Sequence, residues 1–293
     1  MRNCILVPLD GSEVAETALA MVELIPSQRV LLLQAETPEP AARTRAPGEV
    51  ASWRERRARE MIDYLDRAAS RFRRHGRETE TRVVWQEPAQ AIIEAARDAD
   101  LIVMTTHGRG GAGRAVFGSV ADRVAREAPV ATLLIRSSMG PGAKPPVTRI
   151  VVPLDGSPRS EAALPIALEL ANDLGVPIQL MQVVEHSPAR DAAQAGLPAA
   201  VAAASAVERE RAAAEAYLAT IAQDLRNRDT MANGATLTGS PAAALIDALR
   251  PGDLVVMTSR GQGGVGRALL GSVADRLVHE AQAPVLVVRA DGA

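Results

Sequence analysis

Two aspartates stand in this chain at matching points of two like segments, and their neighbours give them a chemistry. Residues 5–12 read I-L-V-P-L-D-G-S and residues 150–157 read I-V-V-P-L-D-G-S, which places Asp10 and Asp155 after an apolar run in each. A second pair follows, with D-L-I-V-M-T-T-H-G at 100–108 and D-L-V-V-M-T-S-R-G at 253–261. A third pair, G-S-V-A-D-R, stands at 118–123 and 271–276. A carboxylate at Asp10 or Asp155 suits a nucleoside hydroxyl or amine. The glycine-rich turns that lead into Gly118-Ser119 and Gly271-Ser272 suit an anion, because free backbone N–H groups and the positive end of a helix dipole face outward there. Ser119 and Ser272 are expected to add a hydroxyl or to cap their helices. Arg114 and Arg267 occupy equivalent loop positions, and each suits a phosphate. Arg109, with Gln262 opposite it, is a weaker candidate. The same residues also suit folding alone, since Asp-Gly-Ser is an ordinary strand-to-helix cap and glycine loops turn tightly. The residues by themselves leave both readings open.

Catalytic constellations are not evident. His107 is matched by Arg260 in the second copy, which argues for a phosphate-rim residue rather than a general base. His75, His186 and His279 lack partners at metal-ligand spacing, so no zinc site is expected. No paired carboxylates, Ser-His-Asp set or Cys-His set falls in matching loops. The G-x-x-x-x-G-K-[ST] pattern is missing, which excludes a P-loop at motif level. Lys144 is the one lysine, and it lies in a linker, so lysine chemistry is excluded as well. The chain therefore reads as a binding protein rather than a dedicated enzyme, with slow hydrolysis by phosphate positioning as the weaker alternative.

The elements that must position these residues are legible from the apolar runs. The first paired block is offset by 145 residues and the later ones by 153, so one domain is present twice, with a net gain of eight in the second copy. The Ala-rich stretch 187–206 is the natural place for most of that gain. Strands are expected near 4–9, 29–35, 79–84, 100–104 and 130–135, and again near 149–154, 177–184, 235–238, 253–258 and 285–289. Helices alternate with them, to about Leu24, over 52–74, 88–97 and 119–127, then over 158–173, 204–226, 241–249 and 272–281. Residues 38–50 read as a loop. Met61, Ile62, Leu65, Ala69 and Phe72 approximate the 3.6 period of a buried helix face. Continuous apolar strands alternating with helices predict a parallel sheet covered on both faces. The expected fold class is α/β, with two tandem open five-stranded parallel-sheet sandwiches: domain 1 over 1–137, a Gly/Pro linker over 138–147 and domain 2 over 148–293. Pro8 and Pro153 should mark the points where the first strands leave the sheet. Ligands of such sheets bind beyond the carboxyl ends of the strands, where Asp10, Thr105, Asp155 and Thr258 should gather.

Composition narrows the partners. The chain has 293 residues, a formal net charge of -2 and only 2% aromatic residues. That charge gives no global attraction for nucleic acid or anionic membranes, and the aromatic scarcity disfavours base-stacking surfaces. The arginine-rich run 54–59 is interrupted by Glu55 and continues to Glu60, and it reads as a solvated helix face, with Trp53 and Met61 covering the sheet or a partner. No apolar run reaches the length of a membrane span. Cys4 opens the first strand and reads as a buried reduced thiol, which suits a reducing compartment. With no signal peptide recognisable, a cytoplasmic location is expected.

Over nearly its whole length the chain resembles a tandem universal stress protein. Members of that family that bind ATP carry the pattern G-x-x-G-x9-G-[S/T]. Here Thr105, Gly108, Gly118 and Ser119 keep its spacing in the first copy, and Thr258, Gly261, Gly271 and Ser272 keep it in the second. The resemblance implies an adenine nucleotide alpha hydrolase-like fold and binding of ATP, or ADP or AMP, with Mg²⁺ or Mn²⁺ held mainly by phosphates. It sets Asp10 and Asp155 against the nucleoside and the region of Ala35 and Val183 against the adenine. Both copies depart from the pattern at its first glycine, where the threonine Cβ would crowd the phosphate or demand another backbone angle. The resemblance further implies pairing of domains through the last strands, here 132–135 and 285–288, giving an intramolecular pseudo-dimer with a further homodimer open to it. A stress-response or regulatory role on an unknown client protein is the function implied. The alternatives are a nucleotide-independent adaptor and a weak ATPase.

Overall fold

The computed structural model describes residues 2–38, 47–106, 117–136, 147–185, 197–259 and 270–289. It divides into two compact units, Met1–Pro145 and Pro146–Ala293. Unit 1 runs β1 (Arg2–Pro8), α1 (Glu13–Leu24), β2 (Ser27–Ala35), α2 (Pro47–Arg73), β3 (Glu78–Val84), α3 (Pro88–Ala95), β4 (Leu101–Thr105), α4 (Ser119–Glu127) and β5 (Ala131–Ile135). Its strands lie in the order β3-β2-β1-β4-β5, all neighbours parallel. Unit 2 runs β6 (Arg149–Leu154), α5 (Pro158–Glu161), α6 (Leu164–Leu174), β7 (Ile178–Val184), α7 (Leu197–Arg226), β8 (Ala232–Thr238), α8 (Pro241–Ala248), β9 (Asp253–Thr258), α9 (Ser272–Glu280) and β10 (Val285–Val288). The order there is β8-β7-β6-β9-β10, again parallel. In each unit the strand order reverses beside the first strand, which creates a switch point at the carboxyl ends of β1 and β4, and of β6 and β9.

The apolar runs become central strands because both their faces are covered. Ile5, Leu6 and Val7 have no exposure, and neither do Ile150, Val151 and Val152. Pro8 closes β1 and Pro153 is the penultimate residue of β6. Both stand within a residue of the strand end, the place expected of a residue without an N–H. On α2, Met61, Leu65, Ala69 and Phe72 are at most 1% exposed and form the sheet-facing stripe. Ile62 departs from the expectation, being 45% exposed. One residue beyond Met61, it is turned about 100° round the helix axis, off the stripe.

Several boundaries differ from the sequence reading. The helix expected over 158–173 is two helices, α5 and α6. Pro165 has no N–H to give to Glu161, and its ring opposes that carbonyl. The Ala163 N–H donates instead to the Ser160 carbonyl at 3.2 Å. Helix α7 begins at Leu197, inside the alanine-rich stretch, where propensity favours helix. Strand β8 starts at Ala232, ahead of the expected 235–238, and so takes in Asn233-Gly234, a pair of turn composition. Gly234 is used there for space, since a Cβ on it would stand 2.8 Å from the Leu218 Cβ. Helix α2 opens at Pro47, within the stretch read as loop, with proline at the start of the helix.

The aspartate at the start of each fourth strand, just before β4 and first in β9, is structural and lies at the sheet end away from the switch point. Asp100 Oδ2 accepts from the Asn3 and Cys4 N–H groups at 2.8 and 2.9 Å. Asp253 accepts one backbone N–H, that of Arg250 at 2.8 Å, and in addition receives two nitrogens of the Arg149 guanidinium, Nε at 2.8 Å and Nη2 at 2.6 Å. Cys4 is buried, and burial pushes its thiol up from its ordinary range.

Candidate functional site

The switch-point edge is built in the same way twice. Beyond β1 the Asp10 Oδ1 accepts from the Ser12 N–H at 2.9 Å and from the Ser12 hydroxyl at 2.6 Å. Ser12 in turn caps α1, its Oγ accepting from the Ala15 N–H at 3.2 Å. In unit 2 the Asp155 Oδ1 accepts from the Ser157 N–H at 3.0 Å and from its hydroxyl, and Ser157 Oγ accepts from the Ser160 N–H at 3.1 Å. Gly11 and Gly156 carry φ of 83° and 79°, a left-handed conformation that glycine adopts without strain. Asp-Gly-Ser is thus a helix cap in both copies, and one oxygen of each aspartate belongs to it. Any nucleoside contact by Asp10 or Asp155 is additional to that role.

Thr105 and Thr258 end β4 and β9, in register with Ile135 and Val288. They are 7% and 4% exposed. Neither has a positive φ; among the described residues Asp229 is the one non-glycine that does. The expected demand for an unusual backbone angle is therefore not met, because the threonines stand in extended strand, where a Cβ is ordinary. The next residues organise the site. The Thr106 N–H donates to the Ile135 carbonyl at 2.9 Å, and the Thr106 carbonyl accepts from the Gly118 N–H at 2.8 Å. Ser259 does the same with Val288 at 2.9 Å and Gly271 at 2.7 Å. One backbone bond in each unit thereby draws a helix start to the end of the fourth strand.

Gly118 and Gly271 are the N-caps of α4 and α9, with no side-chain cap. The expectation that Ser119 and Ser272 cap these helices is corrected, since both are the first helical residues. The first i to i−4 bond runs from the Asp122 N–H to the Gly118 carbonyl at 2.9 Å, and its counterpart from Asp275 to Gly271 at 2.8 Å. The N–H groups of Ser119, Val120 and Ala121 precede that bond and point out of the helix start, as do those of Ser272, Val273 and Ala274. A helix start with no side chain over its cap fits a phosphate group. His107, Gly108, Arg114, Gly261 and Arg267 lie outside the described residues.

Ala35 ends β2 and Val183 is the penultimate residue of β7, both half-buried at matching registers beside the first strand. The residues just before them were missed by sequence reasoning. Gln34 and Gln182 each bury a side-chain Oε1 that has no hydrogen-bond partner. Gln34 is 3% exposed. The Gln182 Nε2 lies 3.9 Å from where a Cβ on Gly156 would stand, so this amide borders the Asp-Gly-Ser turn. The available signal was a polar residue at the same point of the second apolar run in both copies, L-L-L-Q-A and Q-L-M-Q-V.

Around these edges the units diverge. In unit 1 the only two tryptophans of the chain meet, Trp53 and Trp85, with ring centroids 5.7 Å apart, and the Arg54 guanidinium carbon lies 6.0 Å from the Trp85 ring. Arg57 joins Glu36 at 2.8 Å and Glu60 at 3.2 Å, so the arginine-rich run is laced with acids. In unit 2 the Tyr217 hydroxyl donates to Glu161 at 2.9 Å. Burial, with Glu161 adding to it, pushes that phenol above its ordinary range. No helix among the described residues is long and apolar enough to cross a membrane.

Comparison with known proteins gives a consistent result. The family model described as the universal stress protein family matches residues 1–136 and again 146–289. Universal stress protein Rv2005c of Mycobacterium tuberculosis is 31% identical over 209 residues, covering 71% of this chain and 68% of its own. Universal stress protein Rv1996 of the same organism is 26% identical over 303 residues, covering 97% and 94%. Among solved structures, a universal stress protein from Archaeoglobus fulgidus DSM 4304 superposes with a TM-score of 0.71 at 17% identity, over 98% of both chains, and so shares the fold.

Proposed function

The chain belongs to the universal stress protein family, and from that membership and the duplicated edge we propose that it binds an adenine nucleotide in each unit. ATP is the first candidate, with ADP and AMP as its relatives and Mg²⁺ or Mn²⁺ held mainly by the phosphates. The observation that carries this reading is the bond from Gly118 to Thr106, repeated from Gly271 to Ser259. It sets an uncapped helix start against a strand end twice over, which is the arrangement a phosphate group needs. Ser119 and Ser272 add hydroxyls beside the N–H groups, and Thr105, Thr258, Ala35 and Val183 line the neighbouring strand ends. His107, Gly108, Arg114, Gly261 and Arg267 belong to the same proposal through their sequence positions.

Nucleotide occupancy would change the surface around the β4–α4 and β9–α9 connections, and a client protein would read that change. The protein is thus a regulatory stress-response protein of the cytoplasm in this proposal, with no dedicated enzymatic step. The two copies also serve as partners for one another through the apolar last strands named from the sequence. The test is calorimetric titration of nucleotide-stripped protein with Mg-ATP. Saturable binding near one or two per chain is expected. No heat and no thermal stabilisation at millimolar ATP would overturn the reading and leave a nucleotide-independent adaptor.

A further inference from the structure

We propose that Gln34 and Gln182 read the base of the nucleotide and select one that carries an exocyclic amino group beside a ring nitrogen, as adenine does. This rests on the nucleotide reading above and adds to it the residues that decide base identity.

The starting observation is a cost paid twice. A buried amide oxygen without a donor disfavours the folded state. Here the Oε1 atoms of Gln34 and Gln182 are both buried and unpartnered. They stand at one structural position, the residue after the register partner of the first strand's proline, Leu33 for Pro8 and Met181 for Pro153. Packing has not preserved this position by general likeness of the two copies. Met61 of α2 matches Ala214 of α7 and Trp85 matches Thr238, yet the glutamine is kept.

Location supplies the second argument. Both glutamines precede the strand ends at Ala35 and Val183, and the Gln182 amide borders Gly156 of the Asp-Gly-Ser turn. They therefore flank the same carboxyl edge as the helix starts of α4 and α9. A primary amide offers one acceptor and a pair of donors. Against adenine it pairs in two places, its oxygen taking the amino group and its nitrogen giving to a ring nitrogen. On the edge that carries N7, guanine presents a carbonyl where adenine has the amino group, so both its groups accept and the amide, in either orientation, satisfies only one of them. Unit 2 adds one more group. Thr236 is the register partner of Gln182, and its Oγ1 is also buried without a partner, where unit 1 has Val83. The larger loss on substitution is therefore expected at Gln182.

The experiment titrates the stripped full chain with Mg-ATP and with Mg-GTP, as wild type, Q34M, Q182M and the double variant. Adenosine and guanosine compete in a parallel arm, which separates base from phosphate. Wild type is expected to prefer ATP about 10- to 100-fold, the range of one bidentate amide–base pair. The double variant should hold the two within about threefold, with Q182M losing more than Q34M. Circular dichroism checks folding, and Q34E with Q182E repeats the comparison should the methionine variants not fold, since glutamate keeps the shape and loses the donors. Equal ATP and GTP binding by wild type, or a preference that survives in the double variant, would overturn this assignment and leave the nucleotide reading standing. Binding of neither nucleotide by wild type would overturn that reading, and this assignment with it.

Discussion

The two units share a strand order and a helix cap, and they differ in how they fill the same places. Under the long helix, unit 1 buries Met61 and Phe72 where unit 2 has Ala214 and Leu225. At the edge strand, unit 1 has Val83 and Trp85 where unit 2 has Thr236 and Thr238. At the start of the fourth strand, unit 1 answers Asp100 with two backbone N–H groups, whereas unit 2 answers Asp253 with one backbone N–H and a bidentate guanidinium. The first helix is continuous in unit 1 and broken by Pro165 in unit 2. What stayed the same is the switch-point edge: the Asp-Gly-Ser cap, the bond from the fourth strand to the helix start, and the buried glutamine. The difference teaches that packing under a helix is negotiable if volume is recovered nearby, while the edge is kept in kind.

The largest expected effect breaks the comparison at the base of β9. The Asp253 side chain is 1% exposed, and Arg149 is its ion partner. Arg149→Met leaves that carboxylate buried without its cation and should cost about 3–4 kcal/mol in denaturant unfolding followed by circular dichroism. Asp100→Asn at the matched point of unit 1 should cost about 1 kcal/mol, since Asp100 is exposed and the amide keeps an oxygen to accept from the two backbone N–H groups. Equal losses would erase the distinction between the two solutions.

Met61→Ala comes next. It removes a side chain that is 1% exposed in unit 1, and about 3 kcal/mol should be lost. Tryptophan fluorescence is the natural readout, because Trp53 and Trp85 both lie in that unit. A loss below about 1 kcal/mol would mean that unit 1 relaxes onto the smaller packing of unit 2, against the cavity cost expected of a buried methionine. The smallest effect sharpens what is shared. Ser12→Ala and Ser157→Ala should each cost about 1 kcal/mol, the usual worth of an N-cap, and should cost the same. Clearly unequal values would show that the two Asp-Gly-Ser turns are not one device.

Most of the fold was legible because its signals are local. Continuous apolar runs at Ile5–Val7 and Leu254–Val256 mark strands buried on both faces, and the 3.6 period through Met61, Leu65 and Phe72 marks a helix. The misreadings fell where one residue has two uses. Asn233-Gly234 has turn composition, but an edge strand uses the glycine to clear Leu218. Pro165 follows a serviceable helix pattern and breaks it by removing a donor. At the site, the sequence named Asp10, Asp155 and the Gly-Ser pairs and offered Asp-Gly-Ser as a strand-to-helix cap, which the structure bears out, but the cap it also offered to Ser119 and Ser272 is not made. Ser12 and Ser157 cap helices, whereas Ser119 and Ser272 lie inside theirs.

By itself the sequence determined a duplicated α/β domain, its strand and helix order, and the loops that follow the carboxyl ends of its strands. Those depend on periodicity and on residues a few positions apart. Only the tertiary structure decided which groups answer one another: that Asp253 meets Arg149, that Trp53 meets Trp85 at a tilt, and that the Gln34 and Gln182 oxygens are buried with nothing to accept from. A side chain's partner is set by what a distant strand or helix brings beside it, and burial turns the lack of a partner into an energetic fact that no local pattern records.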